Sequence, residues 1–250
     1  MSPKNKVAVI TDFGLQDPYV GVMKAQIFRF VDEVEFIDIT HYVPQFNIKA
    51  ATFIFSYALR WLPEDTHFLI VVDPGVGSNR RAITAVKDKR FFVAPDNGVL
   101  SPILDDADVY AIENIKPESS TFHGRDIFAP ALGMLLQGKP PEELGPRVSD
   151  PIKIRLPKPE IEEGWIRGEI IYIDHFGNLV TNIPRELVRS GKKVIFKGVQ
   201  IPLVNTYFDV DKGQALVIID SYDMLEISVR EGSAKEKFGA EVGDIVQFER

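Results

Sequence analysis

Cysteine is absent from the 250 residues. This excludes disulfides, thiolate nucleophiles and Cys-ligated zinc or iron–sulfur sites, and leaves the compartment open. Histidine is scarce, at four residues. No two of the four are spaced as ligands on one element and His-Glu-x-x-His does not occur, so no bound metal is expected. Positive charge is in deficit: 29 Lys and Arg against 36 Asp and Glu leave a formal net charge of -7. Nucleic acid, which is usually held by a broad Lys/Arg surface, is therefore not an expected partner. No apolar run approaches the roughly 20 residues that cross a bilayer. Met1 to Lys6 lead into a strand-like run, not a signal peptide, so a cytoplasmic protein without a membrane partner is the expectation. A Gly-x-Ser-x-Gly elbow, a Gly-x-Gly-x-x-Gly fingerprint and a phosphate-loop lysine are all missing, which removes support for a serine nucleophile or a bound pyrophosphate.

What is present alternates regularly. Short apolar runs at 7–10, 34–39 and 68–72 are separated by amphipathic stretches at 19–30 and 48–62, which reads as strand, helix, strand, helix, strand. Leu69-Ile70-Val71-Val72 is apolar at every position, as in strands covered by helices on both faces. Further strands are predicted at 82–86, 91–94 and 109–112, and a helix from about 125 to 137. Between 138 and 164 the prolines Pro140, Pro141, Pro146, Pro151, Pro157 and Pro159 crowd a stretch unable to sustain a helix or a central strand. Beyond it lie short β-type segments at 168–174, 193–196, 216–219, 225–229 and 245–248. The fold class is α/β: a layered N-terminal α/β domain over 1–157, carrying the chemistry, and a smaller C-terminal β domain, barrel-like, over 158–250.

Four polar, glycine-bearing segments each follow a predicted strand: Thr11-Asp12-Phe13-Gly14, Asp73-Pro74-Gly75-Val76-Gly77-Ser78, Ala94-Pro95-Asp96-Asn97-Gly98 and Asp174-His175-Phe176-Gly177-Asn178. Ligands of open α/β sheets bind beyond the carboxyl ends of the strands, where the first three would converge. A short carboxylate or amide there reaches ribose hydroxyls or a base edge, and glycine permits close backbone approach. Each has a plainer reading: Asp12 as a helix cap or turn residue, and Asp96-Asn97-Gly98 as an ordinary turn. His41 and His67 flank strands and read as structural or exposed. His123, in Phe122-His123-Gly124-Arg125-Asp126 before a helix, stands where acid–base groups are often found, although a helix-start histidine without catalytic duty fits the same pattern.

Six segments in order resemble the S-adenosylmethionine hydroxide adenosyltransferases: Thr11 to Gly14, Val72 to Gly77, Ala94 to Gly98, Thr121-Phe122-His123-Gly124-Arg125-Asp126-Ile127-Phe128-Ala129-Pro130, Ile173 to Asn178, and Gly232-Ser233-Ala234. The resemblance implies an α/β domain followed by a β-barrel-like one, and a homotrimer with active sites between subunits. It also implies hydrolysis of S-adenosyl-L-methionine to adenosine and L-methionine without a cofactor. Related halogenases carry Tyr-Pro-x-Thr at a strand end where this chain has Asp73 and Val76, a departure that favours water over halide. Carried over by position, the catalytic residues are Asp73, Arg80 and His123, with Arg81 one alignment slip from Arg80. Substrate-binding positions are Asp12, Asn97, Asp174, Phe176, Asn178, Ser221 and the Ala234 backbone. His123 is expected to take the proton of the attacking water, with Arg80 supplying fixed positive charge and Asp73 orienting the pair. The competing readings are a halide-dependent adenosyltransferase, a hydrolase acting on another adenosine compound, a non-catalytic sensor of S-adenosylmethionine or adenosine, and a metal-assisted hydrolase.

Overall fold

The structure, a computed structural model, describes residues 5–189 and 192–250. The chain forms two compact units, the first ending at Arg155 and the second beginning at Leu156. Among the described residues no helix is long and apolar enough to cross a membrane.

The first unit runs β1 (Asn5–Thr11), α1 (Tyr19–Ile27), β2 (Val34–Thr40), α2 (Ile48–Trp61), β3 (Thr66–Val71), β4 (Ala82–Lys87), β5 (Arg90–Pro95), β6 (Asp108–Ala111) and α3 (Ala129–Leu136). The sheet order is β2-β1-β3-β5-β4-β6. β2, β1, β3 and β5 are parallel, and β4 pairs antiparallel with both β5 and β6. Strand side chains alternate between faces. Val7, Val9, Leu69, Val71 and Val93 pack against Met23 and Ile27 of α1 and Leu132 and Leu135 of α3. On the other face Phe55 of α2 meets Phe68 and Phe92 edge-on at 5.2 and 5.9 Å, and these two rings stack at 5.3 Å. With both faces covered, β1 and β3 must be apolar throughout, and each buried Phe contributes about 1.5–3 kcal/mol.

The second unit runs β7 (Glu160–Ile161), β8 (Trp165–Ile173), β9 (Leu179–Pro184), β10 (Val194–Phe196), β11 (Val199–Ile201), β12 (Ala215–Ile219), β13 (Met224–Val229), α4 (Ala234–Phe238) and β14 (Ile245–Glu249). Its eight strands follow the order β11-β10-β14-β8-β9-β13-β12, with β7 on β8. A bridge from Leu203 to Val217, with Val204 N donating to Val217 O at 2.9 Å, returns the β11 end to β12 and nearly closes a barrel. The interior holds Ile166, Ile170, Val194, Phe196, Ile227 and Phe248.

Two departures from the sequence reading have local causes. The helix expected from about 125 is a single π-helical turn over Gly124–Phe128, and α3 follows it. Pro130 has no N–H to donate to an α-helical bond, and the Ala129 N–H reaches back to Gly124 O. β9 and α4 were not expected. β9 starts directly after the Asp174–Asn178 turn and ends on Pro184, and α4 spans only five residues, too short for a helical period to register. Ser233 caps α4, accepting from Glu236 N at 3.1 Å.

Candidate active site

Parallel strands β1, β3 and β5 deliver the segments beginning at Asp12, Asp73 and Asp96 to the same edge of the first sheet. After β3 the chain turns tightly. Ser78 Oγ donates to Gly75 O at 2.7 Å, and Arg80 N donates to Ser78 Oγ at 3.2 Å. Gly77 has φ +77°, and a Cβ there would stand 2.8 Å from Ser120 O. Only glycine lets this loop lie against the segment that carries His123.

Folding of the loop brings Arg80 back onto Asp73. Arg80 Nε donates to Asp73 Oδ1 at 2.9 Å and to Oδ2 at 3.1 Å, and Nη2 also donates to Oδ2. The same Nη2 donates to His123 Nδ1 at 2.8 Å. The guanidinium lies over the Phe128 ring at 5.1 Å. The Arg80 and Asp73 side chains are 11% and 6% exposed and His123 is 8% exposed, so the trio is largely out of water. Charge-assisted bidentate contacts of this kind are strong and directional.

A guanidinium has no lone pair to offer, so His123 Nδ1 must be the acceptor and the neutral ring carries its proton on Nε2. Burial, and next the Arg80 charge, hold the His123 pKa below its ordinary value, against the upward pull of Asp73 and Asp126. The imidazole is therefore neutral and presents a donor. This differs from the expectation that His123 takes the proton: the nitrogen free to do so is already occupied. Arg81, the alternative to Arg80, points elsewhere. Its Nε donates to Asp96 Oδ2 at 2.7 Å and its Nη1 to Asp150 Oδ1 at 2.7 Å.

Asp73 and His123 line a cavity of about 200 Å³ together with Asp12, Phe13, Val76 and Phe122. Asp12 does not cap α1, whose N-cap is Pro18 without a side-chain bond. Asp12 Oδ2 instead accepts from Phe46 N at 2.9 Å. Asn97 does not line this cavity; its Nδ2 donates to Val72 O at 2.9 Å and its Oδ1 accepts from Val99 N at 3.2 Å. Asp96 ties down the crossing chain, accepting from Ile152 N at 2.8 Å as well as from Arg81.

In the second unit, Phe176 and Asn178 line a cavity of about 540 Å³ with Tyr207, Phe208, Val229 and Arg230. Phe176 and Phe208 are 73% and 81% exposed, and Arg230 lies 4.4 Å over the Phe208 ring. Asp174 braces the turn: Oδ1 accepts from Asn178 N at 2.8 Å and Oδ2 from Asn178 Nδ2 at 2.9 Å. Gly177, at φ +82°, sits so close to the cap of α4 that a Cβ would stand 2.2 Å from Ser233 Oγ. Ala234 is fully buried next to it, while Ser221 is exposed in the turn after β12. Tyr207, Phe208 and Arg230 escaped the sequence reading, although two adjacent aromatics in a polar stretch are a signal of exposed binding surface.

Residues 7–145 match the SAM hydroxide adenosyltransferase N-terminal domain, and residues 168–247 match the C-terminal domain of the same description. The chain is 37% identical to an (R)-S-adenosyl-L-methionine hydrolase of Thermus thermophilus, over 95% of this chain and 96% of that one. A fluorinase of an Actinoplanes species is 26% identical over 89% of this chain and 90% of its own. A crystal structure of an uncharacterized conserved protein from Thermotoga maritima superposes with a TM-score of 0.88 at 38% identity, covering 98% of this chain and 100% of that one.

Proposed function

Since this chain belongs to the SAM hydroxide adenosyltransferase family, we infer that it hydrolyses S-adenosyl-L-methionine to adenosine and L-methionine, with water attacking the ribose 5′ carbon. One observation carries the mechanism: Arg80 joins Asp73 and His123 beside a cavity that the latter two line. A water there donates one hydrogen to Asp73 and accepts from His123 Nε2–H, leaving a lone pair for carbon. As the carbon–oxygen bond forms, the carbon–sulfur bond breaks with its electron pair passing to sulfur. The water proton moves to Asp73 and from there to solvent. The sulfonium leaves as a neutral thioether, so no acid is needed and proton transfer can be late. Arg80 holds the carboxylate and supplies fixed positive charge, a role worth about 10²- to 10³-fold in rate. Holding the water in line about 3–3.5 Å from carbon supplies most of the remainder.

The reaction is read as metal-independent because a guanidinium already stands between the carboxylate and the imidazole, where a cation would be repelled. Val76 beside Asp73 lines the cavity with hydrocarbon and offers no hydroxyl to a halide. Asp12 and Asp174 would take the ribose hydroxyls, with Asn178 nearby, Phe176 the adenine with the Ala234 backbone at its edge, and Ser221, with Asp12, the methionine portion; Asn97 acts through the Val72 backbone. A site for a whole small molecule occupies roughly 300–1,000 Å³, more than the cavity beside the trio. We read the active assembly as a homotrimer, cytoplasmic, in which a second copy completes each site.

Incubation of chelator-treated protein with S-adenosylmethionine in ¹⁸O-labelled water, with and without chloride, tests this. Adenosine labelled at its 5′ hydroxyl is the expected product. Unlabelled adenosine, a chlorinated nucleoside or no nucleoside at all would refute the assignment.

A further inference from the structure

His41, directly after β2, belongs to no part of the mechanism above, yet it is only 3% exposed. Thr11, the last residue of β1, is completely buried, and its Oγ lies 2.8 Å from His41 Nδ1. The same Oγ accepts from Phe13 N at 3.3 Å. On the far side of the ring, His41 Nε2 lies 3.2 Å from Asp38 Oδ1, close enough for a charge contact but without hydrogen-bond geometry. Asp38 Oδ2 accepts from Lys24 Nζ of α1 at 2.6 Å.

With the ring neutral and its proton on Nε2, the side facing the Asp38 carboxylate, Nδ1 accepts the Thr11 hydroxyl proton while Thr11 Oγ accepts from Phe13 N–H. Burial, which disfavours the charged imidazole, agrees with a neutral ring. The arrangement has the members of an acid–histidine–hydroxyl triad. Thr11 cannot act as a nucleophile in it, because its oxygen is sealed from solvent and engaged by a backbone amide.

The chain's target is the turn that carries Asp12. Besides the Thr11 link, Gly14 N donates to His41 O at 2.7 Å and Val43 N donates to Thr11 O at 3.3 Å. The β1–β2 register slips between Val9, opposite Asp38, and Ile10, opposite Thr40, which brings His41 alongside the turn. We propose that His41 is a positioning residue: anchored by Asp38 and Lys24, it holds through Thr11 the turn that presents Asp12 to the substrate. The proposal rests on the reading of Asp12 as a substrate-binding group.

The test is steady-state adenosine release by the full chain and its Thr11→Val, Thr11→Ser, His41→Leu and His41→Asn variants. Thermal midpoints are measured alongside. Thr11→Val keeps the shape and removes the hydroxyl; His41→Asn keeps an acceptor about where Nδ1 stands. Thr11→Val and His41→Leu should raise KM for S-adenosylmethionine about tenfold, equivalent to about 1.4 kcal/mol, with kcat within twofold. Thr11→Ser and His41→Asn should return KM to within threefold of the parent. If His41→Leu does not fold, the two Thr11 variants decide. An unchanged KM in Thr11→Val, or a fall in kcat matching the rise in KM with no rescue by serine, overturns the proposal. A parent protein that releases no adenosine would instead remove the hydrolase reading.

Discussion

Replacing Arg80 with methionine keeps an unbranched side chain and removes the guanidinium, with its contact to the Phe128 ring, which makes it the sharpest probe of the trio. Asp73, whose side chain is 6% exposed, would lose all three hydrogen bonds from Arg80. Stranding a buried carboxylate costs about 3–5 kcal/mol. For a chain of this size that lowers the thermal midpoint by roughly 6–20 °C. Turnover should fall about 10²- to 10³-fold, the weight of one preorganised charge. The third readout is pH. His123 must be neutral to accept from Arg80 and donate to water, so kcat/KM falls as pH drops through its pKa, which burial and Arg80 hold below 6.5. Removing Arg80 deletes one of the two downward influences and leaves burial alone against the upward pull of Asp73 and Asp126, so the acid limb should move to higher pH. Adenosine release followed by chromatography between pH 5 and 8 reads the last two, and thermal unfolding reads the first. Arg81→Met, which breaks contacts to Asp96 and Asp150, should leave the acid limb in place. The reasoning fails if Arg80→Met turns over within threefold of the parent, or if its acid limb stays fixed or moves down.

Asp73→Asn combined with Arg80→Met should recover at least half of the stability lost in the single Arg80 variant, since no carboxylate is stranded; urea titration of the four proteins gives the coupling. His67 accepts from Phe91 N at 3.0 Å, and burial pushes its pKa down to about 4. The unfolded chain protonates near 6.5 and the folded one only near 4, so stability is lost as pH falls across that window, by at most about 3 kcal/mol. His67→Asn should flatten that loss. Burial raises the Glu226 pKa to about 7, while its Oε1 accepts from Tyr207 Oη at 2.9 Å. A raised acid contributes stability at low pH that is lost as pH climbs from about 4.5 to 7, so Glu226→Gln should raise the unfolding midpoint at pH 8, by up to about 3 kcal/mol in stability. Gly177→Ala drives a Cβ into the Ser233 cap and should cost about 1–3 kcal/mol, with a weakened adenosine response in calorimetry.

The motifs at Asp12, Asp73 and His123 were legible because strand-end acids and a helix-start histidine leave local traces: an apolar run, a glycine and a polar residue in fixed succession. Their division of labour was not. Asp96-Asn97-Gly98 has the same local form as the Asp73 segment, yet its side chains are spent on Arg81, Ile152, Val72 and Val99. His41 looked like an incidental strand-end histidine, because its neighbours Thr11 and Asp38, and the Lys24 that holds Asp38, come from three other positions along the chain.

By itself the sequence determined the alternation of strand and helix in the first half, the proline-rich passage to short β-strands, and the family. These follow from periodicity and from ordered short motifs, both of which are local properties of the chain. Only the tertiary structure decided between Arg80 and Arg81, set the proton of His123 on Nε2, and converted His41 into a brace for Asp12. A one-residue step reverses the direction of a side chain leaving a loop, and a hydrogen bond depends on where a partner dozens of residues away comes to rest. That placement is a property of the packed sheet and is not written in any single segment.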